Sequence, residues 1–381
     1  MSSTFNVYIN KMASFLPNEP VHNDQMEEYL GFIAGEKSRF KNIILRNNGI
    51  KTRYYAIDKN GNSTHSNAQL TKCAIEKLFD NTFTAEDIQL LACGTSSSEH
   101  IVPAHASMVQ GELQCNPVEV MSPCGTCNSG MLALKYGYMS VLSGLTDNAV
   151  CTGSEKNSIW MRADNFVEEA NRLCELGKNP YIAFEREFLR WMLSDGAGAF
   201  LLQNIPNSLG ISLRIDWMEI ISYANELNTC MFAGGLRTED GNVKPWREMN
   251  QHEQMTNSVF SLQQDAKLLE KFITRKGAEF LADISKKHNF LPAQMDYFLP
   301  HMSSEFFRKK IEEDAKALNV PIPYDKWFTN LDRVGNLGAA SAYVMLEELF
   351  NSGKLQKGKT ILVMVPESAR FSYTFMKLTV V

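Results

Sequence analysis

The sequence predicts an α/β fold, on three observations. Apolar runs of strand length recur along the 381 residues with helical stretches between them. No Pro/Ser-rich linker or low-complexity tract divides the chain. Hydrophobic residues make up 44% and charged residues 21%, the balance of a compact body with a large core.

Taken in order, residues 88–93 (IQLLAC), 147–153 (DNAVCTG), 197–202 (AGAFLL), 297–300 (YFLP) and 360–365 (TILVMV) read as strands, being short and apolar between turn signals. Residues 129–142, 263–286, 305–318 and 340–351 read as helices, several with apolar residues spaced by three and four. The stretches 156–190 and 223–254 break this rhythm. Excursions of that size in an α/β protein shape a substrate pocket or a subunit interface.

Bulk properties exclude several classes. A net charge of −5 gives no overall attraction to nucleic acid or to an anionic membrane, so an acidic partner would need a local basic patch. The apolar runs fall far short of the roughly 18 residues a membrane span needs. The opening MSSTFNVYINKM has neither a basic start nor an apolar core of secretory type. Eight scattered cysteines then read as reduced thiols of a cytoplasmic protein.

An internal duplication is visible. CNSGMLALKYGYMSVLSG, from Cys127, parallels NLGAASAYVMLEELFNSG, from Asn336, and the two residues stand equally far from the pairs Ser143-Gly144 and Ser352-Gly353. AEDIQLLACGTSSS likewise parallels AQMDYFLPHMSSE, which sets His301 opposite Gly94. Two such halves, 1–205 and 206–381, the first with its insertion at about 156–190, would bring Cys127, His301 and Asn336 to one central pocket.

Each of the three has its own chemistry. Cys127 lies in SPCGTCNSG, a turn feeding a helix, where the macrodipole and unpaired amides are expected to lower the thiol pKa and build an oxyanion site. His301 follows an apolar strand, and Asn336 sits in the turn RVGNLGAAS. A lone His is usually structural and Asn is a common helix cap, but together they form a hydrogen-bonding pair for a thioester carbonyl. Cys124 and Cys127 form a C-x2-C, yet no second ligand pair of zinc spacing follows it. Arg308, Lys309 and Lys310 are candidates for a basic patch facing an acidic carrier, or simply a solvated helix face.

The ordered motifs CNSGMLALKYGYMSVLSG, AVCTGSE, SDGAGAFLL, LPHMSS and RVGNLGAAS, with GIKTRYYA and CGTSSSEHIVPAHASMVQ before them, resemble the β-ketoacyl-acyl-carrier-protein synthase III group of the thiolase superfamily. The resemblance implies a thiolase-like five-layered αβαβα fold built from two similar halves, a homodimer, and a catalytic triad at Cys127, His301 and Asn336. It implies acyl thioester substrates and an acyl carrier protein as partner, and no metal or organic cofactor.

Two departures narrow it. Where family members carry a glycine-rich segment near the C-terminus, this chain has VPESARFSYTF, so an oxyanion donor would fall at about Ser368; Ile43 and Asn47 replace the Trp and Arg that clamp coenzyme A. These changes, with Glu155 in TGSE, look like the ketosynthase/cyclase branch that makes dialkylresorcinol and stilbene precursors in bacteria. There Glu155 would be a base on a β-ketoacyl α-carbon; otherwise it is a structurally paired strand-end carboxylate. The competing expectations are a single decarboxylative condensation, a non-catalytic carrier-binding subunit, and a thiol–disulfide or zinc protein.

Overall fold

The computed structural model describes residues 6–175 and 184–381; part of the expected insertion at 156–190 therefore lies outside the described residues. Nine strands form the main sheet: β1 Tyr8–Phe15, β2 Leu90–Thr95, β3 Glu119–Met121, β4 Asn148–Glu155, β5 Gly196–Gln203, β6 Leu213–Ser222, β7 Tyr297–Pro300, β8 Thr360–Glu367 and β9 Ser372–Val380. Their order is β7-β8-β9-β6-β1-β5-β4-β2-β3. The helices that matter here are α1 Asn67–Glu76, α2 His105–Leu113, α3 Ser129–Ser143, α4 Ala266–Lys287, α5 Phe306–Ala317 and α6 Ser341–Asn351.

The pairing pattern repeats about the centre of the sheet. From β1 outward, β5 and β4 pair antiparallel and β2 joins β4 in parallel. From β6 outward, β9 and β8 pair antiparallel and β7 joins β8 in parallel. The two runs meet where β1 and β6 share only Tyr8↔Arg214 and Ile9↔Leu213. A seam that short lets the sheet fold into two facing leaves.

Strand alternation shows the layers. On β8, Ile361, Val363 and Val365 enter the core around α3 and α6, while Leu362 and Met364 enter a second core under α4 and α5. On β5, Phe200 and Leu202 face the first core and Ala199 and Leu201 a third one, under α1 and α2. The sequence of layers is helix, leaf, helix, leaf, helix, which is the thiolase-like α/β arrangement.

The central helices approach the leaves backbone to backbone. A Cβ on Gly153 of β4 would stand 2.1 Å from the Ala339 carbonyl oxygen, just before α6, and one on Gly130 of α3 would stand 2.4 Å from the same atom. Neither contact involves a flexible side chain that could swing away. Gly153→Ala is expected to cost about 3 kcal/mol by overpacking, read as a lowered urea midpoint. Gly111→Ala, in α2 with open space at its Cβ position, should be neutral or slightly stabilising.

Candidate active site

The ends of β4, β7 and β8 and the turns entering α3 and α6 converge on one pocket. Cys127, Glu155, His301, Asn336 and Ser368 all border it, with Ser96 and Thr126 beside them. Residues from distant parts of the chain thus share one polar end. Asn157 and Leu189 from the first excursion, and Met231 from the second, complete its walls.

Cys127 stands immediately before Asn128, the residue that opens α3. The Asn128 side chain ties the turn to β9: its Nδ2 donates to Ser372 Oγ at 3.1 Å, and its Oδ1 accepts from the Thr374 hydroxyl. One oxygen of Glu367, at the end of β8, accepts from the backbone amides of Thr126 (3.0 Å) and Asn128 (3.2 Å). The thiol pKa is raised, first by burial and then by the Glu367 and Glu155 carboxylates. The expected helix-terminal lowering is therefore corrected: an anion already occupies that terminus, and desolvation of a thiolate outweighs the dipole.

His301 leaves β7 with its amide donating to the Met364 carbonyl at 2.8 Å, and only 4% of its surface is exposed. Burial pulls its pKa down to about 4, so the imidazole is neutral at physiological pH and offers one N–H and one lone pair. Asn336 is held through its backbone, the amide donating to Met192 O at 3.0 Å and the carbonyl accepting from Ser194 N–H at 2.9 Å. Its Oδ1 accepts from the Gly338 amide at 3.0 Å, so Nδ2 is the group left to meet a ligand. Two neutral donors and no cation then face the pocket from this side.

Glu155 ends β4, wholly buried. Oε1 accepts from the amides of Ser96 (3.2 Å) and Ala339 (3.1 Å); Oε2 accepts from the hydroxyls of Ser96 and Ser97, both at 2.7 Å. Desolvation nevertheless prevails over these bonds, and the pKa is pushed up to about 7. Such a carboxylate can carry or lose a proton near neutrality, which suits a general base.

Beyond the polar end the walls are apolar. Leu269, Ile273 and Leu281 of α4 face Phe307, Ile311 and Ala315 of α5 across the cavity. The chemistry of this lining suits an aliphatic chain with a carbonyl at one end.

Three expected residues lie elsewhere. Arg308 pairs with Glu305 at 2.6 Å, Lys309 with Glu313 at 3.3 Å, and Lys310 with Glu270. Each cation has a carboxylate on its own or the adjoining helix, the pairing of the solvated helix face that was the alternative to a carrier-binding patch. Residues 41–48, which hold Ile43 and Asn47, form a short helix against the His301 segment: Ser304 Oγ donates to the Asn47 carbonyl at 3.3 Å, and Ile43 is half exposed. Ser96, Ser97 and Glu367 were not assigned roles by the sequence. The serines stand in TSSS, the run that parallels MSS after His301, which was the available signal.

Comparison with known proteins agrees with this geometry. A family model described as 3-oxoacyl-[acyl-carrier-protein] synthase III, C terminal, matches residues 286–366. The β-ketoacyl-[acyl-carrier-protein] synthase III of Clostridium perfringens is 25% identical over 349 residues, 92% of each chain. Among solved structures, the tetronic acid condensing enzyme AbyA1 superposes with a TM-score of 0.76 at 20% identity, covering 98% of this chain and 99% of the other. Xanthomonas campestris OleA, with bound lauric acid and lauroyl-CoA, gives 0.75 at 16% identity over 99% of both.

Fold and comparisons together define the class, an enzyme of thiolase-like fold that is similar to condensing enzymes. More particularly, the chain is similar to β-ketoacyl-acyl-carrier-protein synthase III, an acyltransferase of the kind that forms carbon–carbon bonds. Among the described residues no helix is long and apolar enough to cross a membrane.

Proposed function

We propose that the protein is a ketosynthase/cyclase that joins two acyl thioesters, one of them a β-ketoacyl unit on a carrier protein, and closes a cyclohexanedione-type ring. Cys127 takes the first acyl group, forming a thioester as the carrier's own carbon–sulfur bond breaks. His301 and Asn336 donate hydrogen bonds to the carbonyl of the second thioester. Glu155 removes a proton from the carbon between its two carbonyls, and that carbon attacks the acyl group on Cys127, whose carbon–sulfur bond breaks to free the thiol. With an α,β-unsaturated acyl group, the carbon on the far side of the ketone then adds to the acyl β-carbon, the proton it loses ending on the acyl α-carbon, and this closes the six-membered ring with no further leaving group.

The observation that carries this reading is the Glu155 carboxylate, buried at the same pocket as Cys127, with its pKa at about 7. A base of that strength can deprotonate a carbon flanked by two carbonyls, whereas an ordinary thioester α-carbon is far too weak an acid. The apolar walls between α4 and α5 support a fatty acyl chain, as does the lauric acid in the similar fold of OleA. The exposed Ile101 and Val102, in the segment before α2, support a homodimer. Eight free thiols support a cytoplasmic setting.

A second reading, a single decarboxylative condensation, is favoured by the names of the curated relatives. Product analysis separates the two. The protein is supplied with an α,β-unsaturated fatty acyl thioester and a β-ketoacyl carrier thioester, and released products are weighed by mass spectrometry. A cyclic dione is the expected result; an open-chain β-ketoacyl product formed only from a malonyl thioester would replace this reading with the second.

A further inference from the structure

The residue that departs most from the glycine-rich pattern, Glu367, reaches the nucleophile turn from 239 and 241 positions away in sequence. We infer that Glu367 is a positioning residue for the nucleophile. By seating its carboxylate on the amides on either side of Cys127, it fixes that turn and cancels the positive end of α3, so the resting enzyme carries a thiol rather than a thiolate. The inference rests on the reading of Cys127 as nucleophile and deepens it.

The surroundings make this carboxylate a substitute cap. Helix α3 has no acidic residue in its first turn, and Asn128 makes no side-chain capping bond to it. Its positive end would otherwise stabilise an anion at the adjacent sulfur. Glu367 supplies that anion instead, from a strand rather than from the helix's own sequence. The turn wraps closely around it, since a Cβ on Gly125 would stand 3.3 Å from Glu367 Oε2. With the two bonds from Asn128 to β9, the turn is gripped from both strands of the β8–β9 hairpin.

The chemical consequence concerns the first half-reaction. The Cys127 proton leaves sulfur only as the acyl carbon is attacked, and it ends on the departing carrier thiol. One carbon–sulfur bond forms as another breaks, with no net proton release. The resting thiol is thereby shielded from adventitious electrophiles, because the thiolate is the reactive form.

The test follows iodoacetamide alkylation at the Cys127 peptide by mass spectrometry from pH 6 to 10. In the wild-type protein the midpoint is expected above the roughly 8.5 of a free cysteine. Glu367→Gln keeps an amide acceptor but removes the charge. Its alkylation rate at pH 7 should rise about tenfold, with the midpoint about one pH unit lower. Glu367→Asp, which keeps the charge, should stay close to wild type. Coincident profiles for wild type and Glu367→Gln would overturn the inference. So would a wild-type midpoint below that of free cysteine, a result that needs no variant to fold. Alkylation requires no acyl donor, so its outcome is distinct from a failure of the condensation reaction.

Discussion

Cys127→Ala is expected to carry no acyl adduct after incubation with a fatty acyl thioester, whereas the wild-type protein gains the mass of one acyl group. Carbon–carbon bond formation should fall by at least about 10³-fold, because the covalent route is lost and only binding remains. His301→Ala separates the two half-reactions. It should still be acylated at Cys127, more slowly, while condensation falls by about 10²–10⁴-fold with the loss of a positioned donor. The His301 pKa of about 4 adds a further expectation. The imidazole stays neutral above pH 5, so it contributes no limb to the rate profile between pH 5 and 9. An adduct that persists in Cys127→Ala, measured on intact protein, would move the nucleophile to another residue.

Much of this site could be read before the structure, for a physical reason. Polar groups at strand ends and helix starts leave a sharp change of pattern behind them: YFLP stops at His301, and the small residues Gly338 to Ser341 follow closely on Asn336. The strand read as 297–300 is observed as Tyr297–Pro300, and the helix read as 129–142 as Ser129–Ser143. The central strands of the sheet were not legible. Tyr8–Phe15 carries Asn10, Lys11 and Ser14, and Leu213–Ser222 carries Arg214, Asp216 and Glu219. Those polar side chains are used in the fold, as Asn10 Nδ2 donates to Gln203 Oε1 and Asp216 Oδ2 accepts from Thr379 Oγ1. Pairing between distant segments rescued strands whose own composition was unpersuasive.

The charge environment was the other failure of legibility, and it has one cause. Sequence places Cys127 at a helix start but cannot show that Glu367, far along the chain, arrives at the same terminus. It places three cations side by side at Arg308, Lys309 and Lys310 but cannot show that Glu270, on another helix, turns toward one of them. Electrostatics at a site is a sum over neighbours in space. Motifs report only neighbours in the chain.

Glu155→Gln is expected to separate catalysis from stability in opposite directions. The substitution is nearly isosteric: its Oε1 can accept from the Ser96 and Ala339 amides, and its Nε2 can donate to the Ser96 and Ser97 hydroxyls. With the folded pKa at about 7 against an ordinary 4.5, the folded state holds the Glu155 proton more tightly than the unfolded chain. The favourable contribution is fully present below pH 4.5 and is lost as pH rises through 7. At pH 8 the buried carboxylate is charged and costs about 3 kcal/mol. The Gln variant escapes that cost, so its urea midpoint should exceed that of wild type at pH 8, and the gap should close toward pH 4.5. Acylation of Cys127 should survive in this variant, since the thiol loses only a repelling charge. Condensation with a β-ketoacyl thioester should fall by about 10²–10⁴-fold, the usual contribution of a positioned base, and the wild-type rate should climb through pH 7 as Glu155 ionises. A variant that is more stable at pH 8 yet condenses at the wild-type rate would leave Glu155 a structural carboxylate and send the search for the base elsewhere in the pocket.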